Sequence, residues 1–214
     1  MIFNLLDLIK IRINNPPKKI YNYLIDEFHF INNVDNKNLK TDVEVNFSEE
    51  VKINKNNFIV RAPVGYDSEG VYWYDTNNHI ARINFNDFDN GKTILNVNIN
   101  FNEHFLYILI LYLISFKALK FNSVFCHASA VNYKNKTLLF PAWRHTGKTN
   151  LMLRFLEDGA ELISDDGVLM FDDGRILSYS KRIHLLYYNF LRYPYLSEFL
   201  DHEMKSLFSL LDKN

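Results

Sequence analysis

The sequence is short of cysteine, glycine and proline, and each shortage excludes something. Its 214 residues hold one cysteine, Cys126, so neither a disulfide framework nor a cysteine zinc cluster is available. A lone thiol also fits a reducing compartment. With only seven glycines and five prolines, no linker of either type stands out, and each glycine becomes a candidate for backbone that other residues avoid. Neither sign of charge dominates: 24 Lys and Arg face 25 Asp and Glu, a formal net charge of −1. Phosphate backbones reward a basic excess, so no nucleic-acid partner is expected.

Long apolar runs are missing too. The longest, FLYILILYLISF from Phe105 to Phe116, falls well short of the roughly 20 residues that cross a hydrocarbon core. It reads as a buried helix, with no membrane span. The opening MIFNLLDLIKIRINN has no basic residues before its apolar stretch and no small-residue cleavage site, so no signal peptide and a cytoplasmic location are expected. HExxH and GxSxG are absent, which leaves zinc-hydrolase and Ser-His-Asp chemistry without support.

What is present divides at about residue 121. A helix is expected from Lys18 to about Phe30, after the breaker Asn14-Asn15-Pro16-Pro17. Between Val43 and Asn102, VEVNF, FIVRAPV, GVYWY, HIARINF and TILNVNINF alternate apolar with polar residues and are separated by Asp/Asn/Gly turns. That pattern predicts an antiparallel meander with one wet face, closed by a helix from Glu103 to about Lys120. Residues 1–121 thus form a β-rich lobe with flanking helices, and residues 122–214 a second segment within what is expected to be one compact unit. The class is α/β (α+β).

The second segment carries the chemistry. NSVFCHASAVNY reads as a strand, KNK as a turn and TLLFPA as a second strand. LMLRFLEDG reads as a helix with Leu151, Met152, Phe155 and Leu156 on one face and Gly159 as its C-terminal glycine. Between strand and helix stands AWRHTGKT. A phosphate loop has the form GxxxxGK[ST], in which backbone N–H groups and the helix N-terminus cradle phosphates, the lysine neutralises them and the hydroxyl holds magnesium. Here Ala142 replaces the first glycine, a steric cost if that position needs positive φ. Asp165-Asp166 follows the next strand, AELIS. A strand-helix-strand crossover returns both strand ends to one sheet edge, so one carboxylate can hold Mg²⁺ while the other takes a proton from an attacking hydroxyl. If KNK is a tight turn, His127 lies beside Trp143 within a residue or two, at the mouth of the loop.

Together, FCHASAV, LLFPAWRHTGKT and AELISDDGVLM resemble the catalytic core of the HPr kinase/phosphorylase-related serine kinases, itself similar to phosphoenolpyruvate carboxykinase. The likeness covers about residues 122–190. It implies a P-loop-containing mixed sheet and an ATP- and Mg²⁺-dependent phosphotransferase acting on a hydroxyl of a peptide, protein or small molecule. Carried over by residue, Trp143, Arg144, His145, Thr146, Gly147, Lys148 and Thr149 bind nucleotide phosphates. Asp165 is the general base supported by His127, and Thr149 and Asp166 are magnesium ligands, although the adjacent carboxylates can exchange roles. Arg144 or His145 can supply transition-state charge, and Lys181, Arg182, His184 and Arg192 form a downstream basic cluster. Two other readings stay open: a nucleotide-binding module without catalysis, and a partner-binding protein in which the motifs coincide. An oligomer is compatible with either.

Overall fold

In a computed structural model of the chain, residues 1–200 are described, except 6, 29–31, 34–39, 55–58, 62, 90, 144, 145, 179–182 and 184. The chain divides into two compact units, Met1–Val124 and Phe125–Asn214. It is α/β, with a mixed sheet.

The first unit runs β1 (Ile2–Leu5), β2 (Ile9–Asn14), α1 (Lys18–Glu27), β3 (Asn32–Asn33), β4 (Val43–Ser48), β5 (Ile59–Arg61), β6 (Val64–Tyr66), β7 (Gly70–Tyr74), β8 (Ile80–Asn84), α2 (Phe85–Asp89), β9 (Thr93–Asn98) and α3 (Glu103–Ala118). Nine strands form one sheet in the order β3-β1-β2-β4-β9-β8-β7-β6-β5. The expected meander is there from β5 to β9, every neighbouring pair antiparallel. Two departures alter the rest. FIVRAPV is divided between β5 and β6, and β4 joins the sheet by parallel pairing to both β9 and β2.

Strand β2 was hidden in the opening residues. Ile9, Ile11 and Ile13 are fully buried while Lys10, Arg12 and Asn14 point to the other face, a strict period of two. Val43, Val45, Leu95 and Val97 continue that buried face. Helices α1 and α3 pack together, and α3 touches β2. Phe28 bridges the layers, its ring 5.0 Å from Phe3 and 5.3 Å from Tyr107. Asn102 caps α3 by accepting hydrogen bonds from the backbone N–H groups of His104 and Phe105. With the short 3₁₀ turn after it, the helix spans Glu103–Phe121. It is long and apolar enough by length and composition to cross a membrane, and its Leu106, Ile110 and Ile114 are buried in the core. Among the scarce glycines, Gly70 is needed for space, since a Cβ there would lie 2.4 Å from the Ile83 carbonyl oxygen.

The second unit continues with β10 (Ser123–Cys126), on which the division falls, then β11 (Ala128–Tyr133), β12 (Lys136–Pro141), α4 (Lys148–Glu157), β13 (Glu161–Ser164), β14 (Val168–Phe171), β15 (Ile176–Ser178) and α5 (Tyr187–Arg192). NSVFCHASAVNY is two strands rather than one. β10 joins β14 and β15, whereas β11 lies between β12 and β13, so the chain changes sheets at His127 and leaves it outside both ladders. Lys134 and Asn135 both have positive φ, the two-residue hairpin turn that matches strand twist. β12 and β13 are each antiparallel to β11 and are therefore parallel to one another, their C-terminal ends at the same edge.

The buried stripe of α4 differs from expectation. Met152 and Leu153 are buried against Val131, Tyr193 and Leu196, Phe155 and Leu156 pack at its margin, and Leu151 is exposed. Four residues make just over one helical turn, so Lys148 sits above Met152 and Thr149 above Leu153. The stripe that anchors the helix thereby turns both motif residues toward the sheet edge.

One buried ion pair ties the first unit together. Burial alone would raise the Asp67 pKa, but Arg82 in a two-pronged bond and the backbone N–H groups of Asn54 and Glu69 hold it at about 2, below the ordinary 3.8. A folded value below the unfolded one means that the unfolded chain takes up the proton first. The stabilisation is whole above about pH 4 and disappears as pH falls through about 2. Arg82→Ala should cost roughly 3–5 kcal/mol by stranding the carboxylate. Asp67→Asn should flatten the acid limb of a thermal-melting series; an unchanged limb would contradict the assignment.

Candidate active site

Every described residue of the site belongs to the second unit, and two constraints shape its floor. The β11–β12 register pairs Ala128 with Pro141, which sets His127 level with Ala142, one residue short of Trp143. After β12 the chain turns through Trp143, whose carbonyl accepts a hydrogen bond from the Thr146 hydroxyl at 2.6 Å. Gly147 ends the turn at φ 95° and begins α4, its carbonyl accepting from Leu151 N–H. A Cβ there would meet nothing within 4 Å, so glycine is required for its backbone and not for room. Ala142 is not among the residues with positive φ, so alanine carries no conformational cost in place of the glycine. Arg144 and His145 lie outside the described residues, as do Lys181, Arg182 and His184.

At the opposite strand end, the Ser164 hydroxyl donates to the Gly167 carbonyl at 2.6 Å and closes a turn around the two aspartates. Asp166 occupies the left-handed region at φ 67°, which aspartate tolerates better than most residues. The turn sends the carboxylates to different partners. Asp165, 4% exposed, accepts the Ser129 hydroxyl at 2.6 Å and the Thr149 hydroxyl at 3.1 and 3.3 Å. Asp166 is reached by the Lys148 ammonium at 3.4 Å and by His127 Nε2 at 3.3 Å.

His127 is held on both sides. Its Nδ1 lies 3.0 Å from the Asp166 carbonyl oxygen and its Nε2 lies 2.9 Å from Lys148 Nζ. A carbonyl only accepts and an ammonium only donates. With Lys148 charged, its bond to Nε2 requires the ring proton on Nδ1, and Asp166 Oδ1, 3.3 Å from the same Nε2, then takes its proton contact from Lys148 and not from the ring. Lys148, whose side chain is 7% exposed, also points toward the Trp143 carbonyl at 3.4 Å. The structure thus brings together Trp143, Gly147, Lys148, Thr149, His127, Asp165 and Asp166. His127 contacts Asp166, not Asp165. Trp143 offers its backbone inward while the residue as a whole is 86% exposed, and Arg192, the last residue of α5, places its guanidinium carbon 5.8 Å from the centroid of the Tyr193 ring.

Sequence reasoning missed two hydroxyls, Ser129 and Ser164. Ser129 stands two residues beyond His127, and the strand period of two marks it as a neighbour on the same face. Nothing in the spacing marked Ser164.

The donor set also bears on magnesium. No group of three or more His, Cys, Asp or Glu side chains is arranged for a metal among the described residues, but Mg²⁺ bound with phosphates needs only one or two carboxylates, water completing its shell. Asp165 is buried with hydroxyl donors and no cationic partner among the described residues. Its Oδ2 lies 3.1 Å from Thr149 Oγ1, close to the roughly 3.0 Å that separates neighbouring corners of an octahedron with 2.1 Å bonds. Thr149 and Asp165 therefore fit the ion.

Two outcomes test this geometry. Nitrogen NMR of the His127 ring at neutral pH should show a protonated Nδ1 and a bare Nε2; the opposite tautomer would break the Lys148 bond. Gly147→Ala should destabilise the fold by about 1–2 kcal/mol in chemical denaturation, the cost of left-handed backbone for alanine, and no loss would mean that the turn relaxes. Comparison of the chain with protein-family models, with curated proteins and with solved structures finds no match.

Proposed function

We propose that the second unit is the core of a phosphotransferase that moves the γ-phosphoryl group of ATP to a hydroxyl of a peptide, protein or small molecule. The observation that carries this reading is the convergence of Lys148, Thr149, Asp165, Asp166 and His127 where β12 and β13 end. The loop after β12, Lys148 and the start of α4 would hold the phosphates. Thr149 and Asp165 would hold Mg²⁺, which supplies charge neutralisation on the phosphoryl oxygens when bound. The same order of elements supports the proposed kinship with the HPr kinase/phosphorylase-related P-loop core.

The division of labour between the aspartates follows from exposure and partners. A base must meet an incoming acceptor, and the Asp166 carboxylate is 25% exposed whereas Asp165 is enclosed. Asp166 is thus the proposed base, positioned by His127 through its carbonyl, and Asp165 the cation ligand, the reverse of the assignment carried by family resemblance. In the transfer, the acceptor oxygen bonds to the γ-phosphorus and the bond from that phosphorus to the β,γ-bridging oxygen breaks. The acceptor proton passes to Asp166, and ADP leaves. Lys148 offsets the charge of the transferring group, since positioning and electrostatics supply most of the rate in this chemistry.

Titration calorimetry with Mg-ATP should show binding by the wild-type protein and its loss in Lys148→Ala. Asp166→Asn should leave that affinity within about twofold and lower phosphoryl transfer by roughly 10²–10⁴, the usual worth of a general base. Absence of Mg-ATP binding would overturn the proposal. Binding without transfer to serine-containing peptides, hydroxylated small molecules or water would favour the non-catalytic module.

A further inference from the structure

We infer that Ser129 sets the cation preference of this site by keeping Asp165 a one-oxygen ligand, which favours Mg²⁺ over Ca²⁺. The inference rests on the proposed reading of Thr149 and Asp165 as the cation-binding pair. Ser129 has no exposed surface and lies on β11, the central strand of its sheet, paired with Phe140 of β12 and next to Ala130, where the pairing with Ser164 of β13 begins. Its backbone is held by Phe140 on one side and, through the neighbouring Ala130, by β13 on the other, which restrains the hydroxyl. At 2.6 Å from Asp165 Oδ1 and without exposed surface, this bond is costly to break, because the Ser129 hydroxyl would be left buried and unsatisfied.

The consequence appears when acceptor capacity is assigned oxygen by oxygen. Each carboxylate oxygen offers about two lone pairs. The single Thr149 proton is shared between Oδ2 at 3.1 Å and Oδ1 at 3.3 Å, so the short Ser129 bond at 2.6 Å makes Oδ1 the more heavily engaged oxygen. Oδ2 faces Thr149 alone among the described residues, at 3.1 Å, and keeps one pair open. A cation that accepts one carboxylate oxygen finds its place on Oδ2, whereas a cation that chelates both must share Oδ1 with the buried Ser129 proton, which draws charge from that oxygen and weakens it as a ligand. Mg²⁺ is the first kind, six-coordinate with bonds near 2.1 Å; Ca²⁺ takes about six to eight oxygens at 2.3–2.6 Å and commonly uses both oxygens of a carboxylate. Ser129 is a positioning residue in this scheme. It touches neither nucleotide nor acceptor, and acts through Asp165.

The test measures ATP binding by calorimetry with Mg²⁺, with Ca²⁺ and with neither, for the wild-type protein and for Ser129→Ala. The wild type should bind ATP about tenfold or more tightly with Mg²⁺ than with Ca²⁺, and the variant should narrow that ratio to about threefold or less, chiefly through tighter binding with Ca²⁺. A purely structural serine would weaken both cations alike and leave the ratio unchanged. Equal support of wild-type binding by the two cations overturns the inference without recourse to the variant, which keeps it testable if Ser129→Ala does not fold. A ratio preserved in a folded Ser129→Ala overturns it while leaving the proposed function standing. A wild-type protein that binds ATP with neither cation removes both.

Discussion

The rotation of α4 about its own axis is the constraint on which the candidate site depends. Met152 and Leu153 are fully buried beside Val131, and burying two such side chains contributes about 3–6 kcal/mol. Turning the helix by one residue would exchange Leu153 for the exposed Leu151, or Met152 for the exposed Arg154. Lys148 and Thr149 inherit their direction from those residues one turn below, so the chemistry at the helix start is an outcome of hydrocarbon packing farther along. α5 reinforces the seating: Asn189 donates to the Asn150 side chain and the Tyr193 hydroxyl to the Asn150 carbonyl, both in the first turn of α4.

Two buried carboxylates show how differently one fold can treat the same group. Asp67 meets a guanidinium and several backbone N–H groups, and its negative charge is neutralised where it stands. Among the described residues, Asp165 has hydroxyl donors only. Hydroxyls orient a carboxylate but bring no opposite charge, so Asp165 retains an electrostatic demand that Asp67 does not. The first arrangement is complete within the chain and serves stability. The second gains from a positive ligand, which is why it stands at the centre of the functional reading.

Much of this was legible in the residues. Period-two alternation gave β4 and β7 nearly to the residue and β9 with three residues to spare, whereas β8 was found although it buries Arg82 between Ala81 and Ile83. The Lys134-Asn135-Lys136 turn announced the hairpin, and the Gly147-Lys148-Thr149 motif between a strand and an apolar helical pattern announced the start of α4. Other features were hidden for definite reasons. β1 and β2 sit in a stretch read for targeting signals, and parallel pairing of β4 leaves no local mark, since its partners are distant in sequence. The break at His127 arises from a change of sheet, a tertiary event that neither Cys126 nor Ala128 encodes. The His127–Asp166 contact depended on how a left-handed turn divides two adjacent carboxylates, which spacing cannot express. Ala142 misled in the opposite direction: the missing glycine suggested a damaged loop, yet the backbone there has no need of one.

Position 166 is also narrow in the substitutions it can accept. Its backbone lies in the left-handed region, where glycine, asparagine and aspartate are at home and β-branched side chains are not. Its side chain meets an ammonium, a role for an acid. Glycine satisfies only the backbone, asparagine satisfies it without the charge, and glutamate carries the charge on a longer arm less suited to the turn. Aspartate alone meets both demands. Sequence drift at this position therefore has almost no neutral path, and any descendant chain that keeps the turn but loses the acid would be recognisable by a glycine or an asparagine standing there.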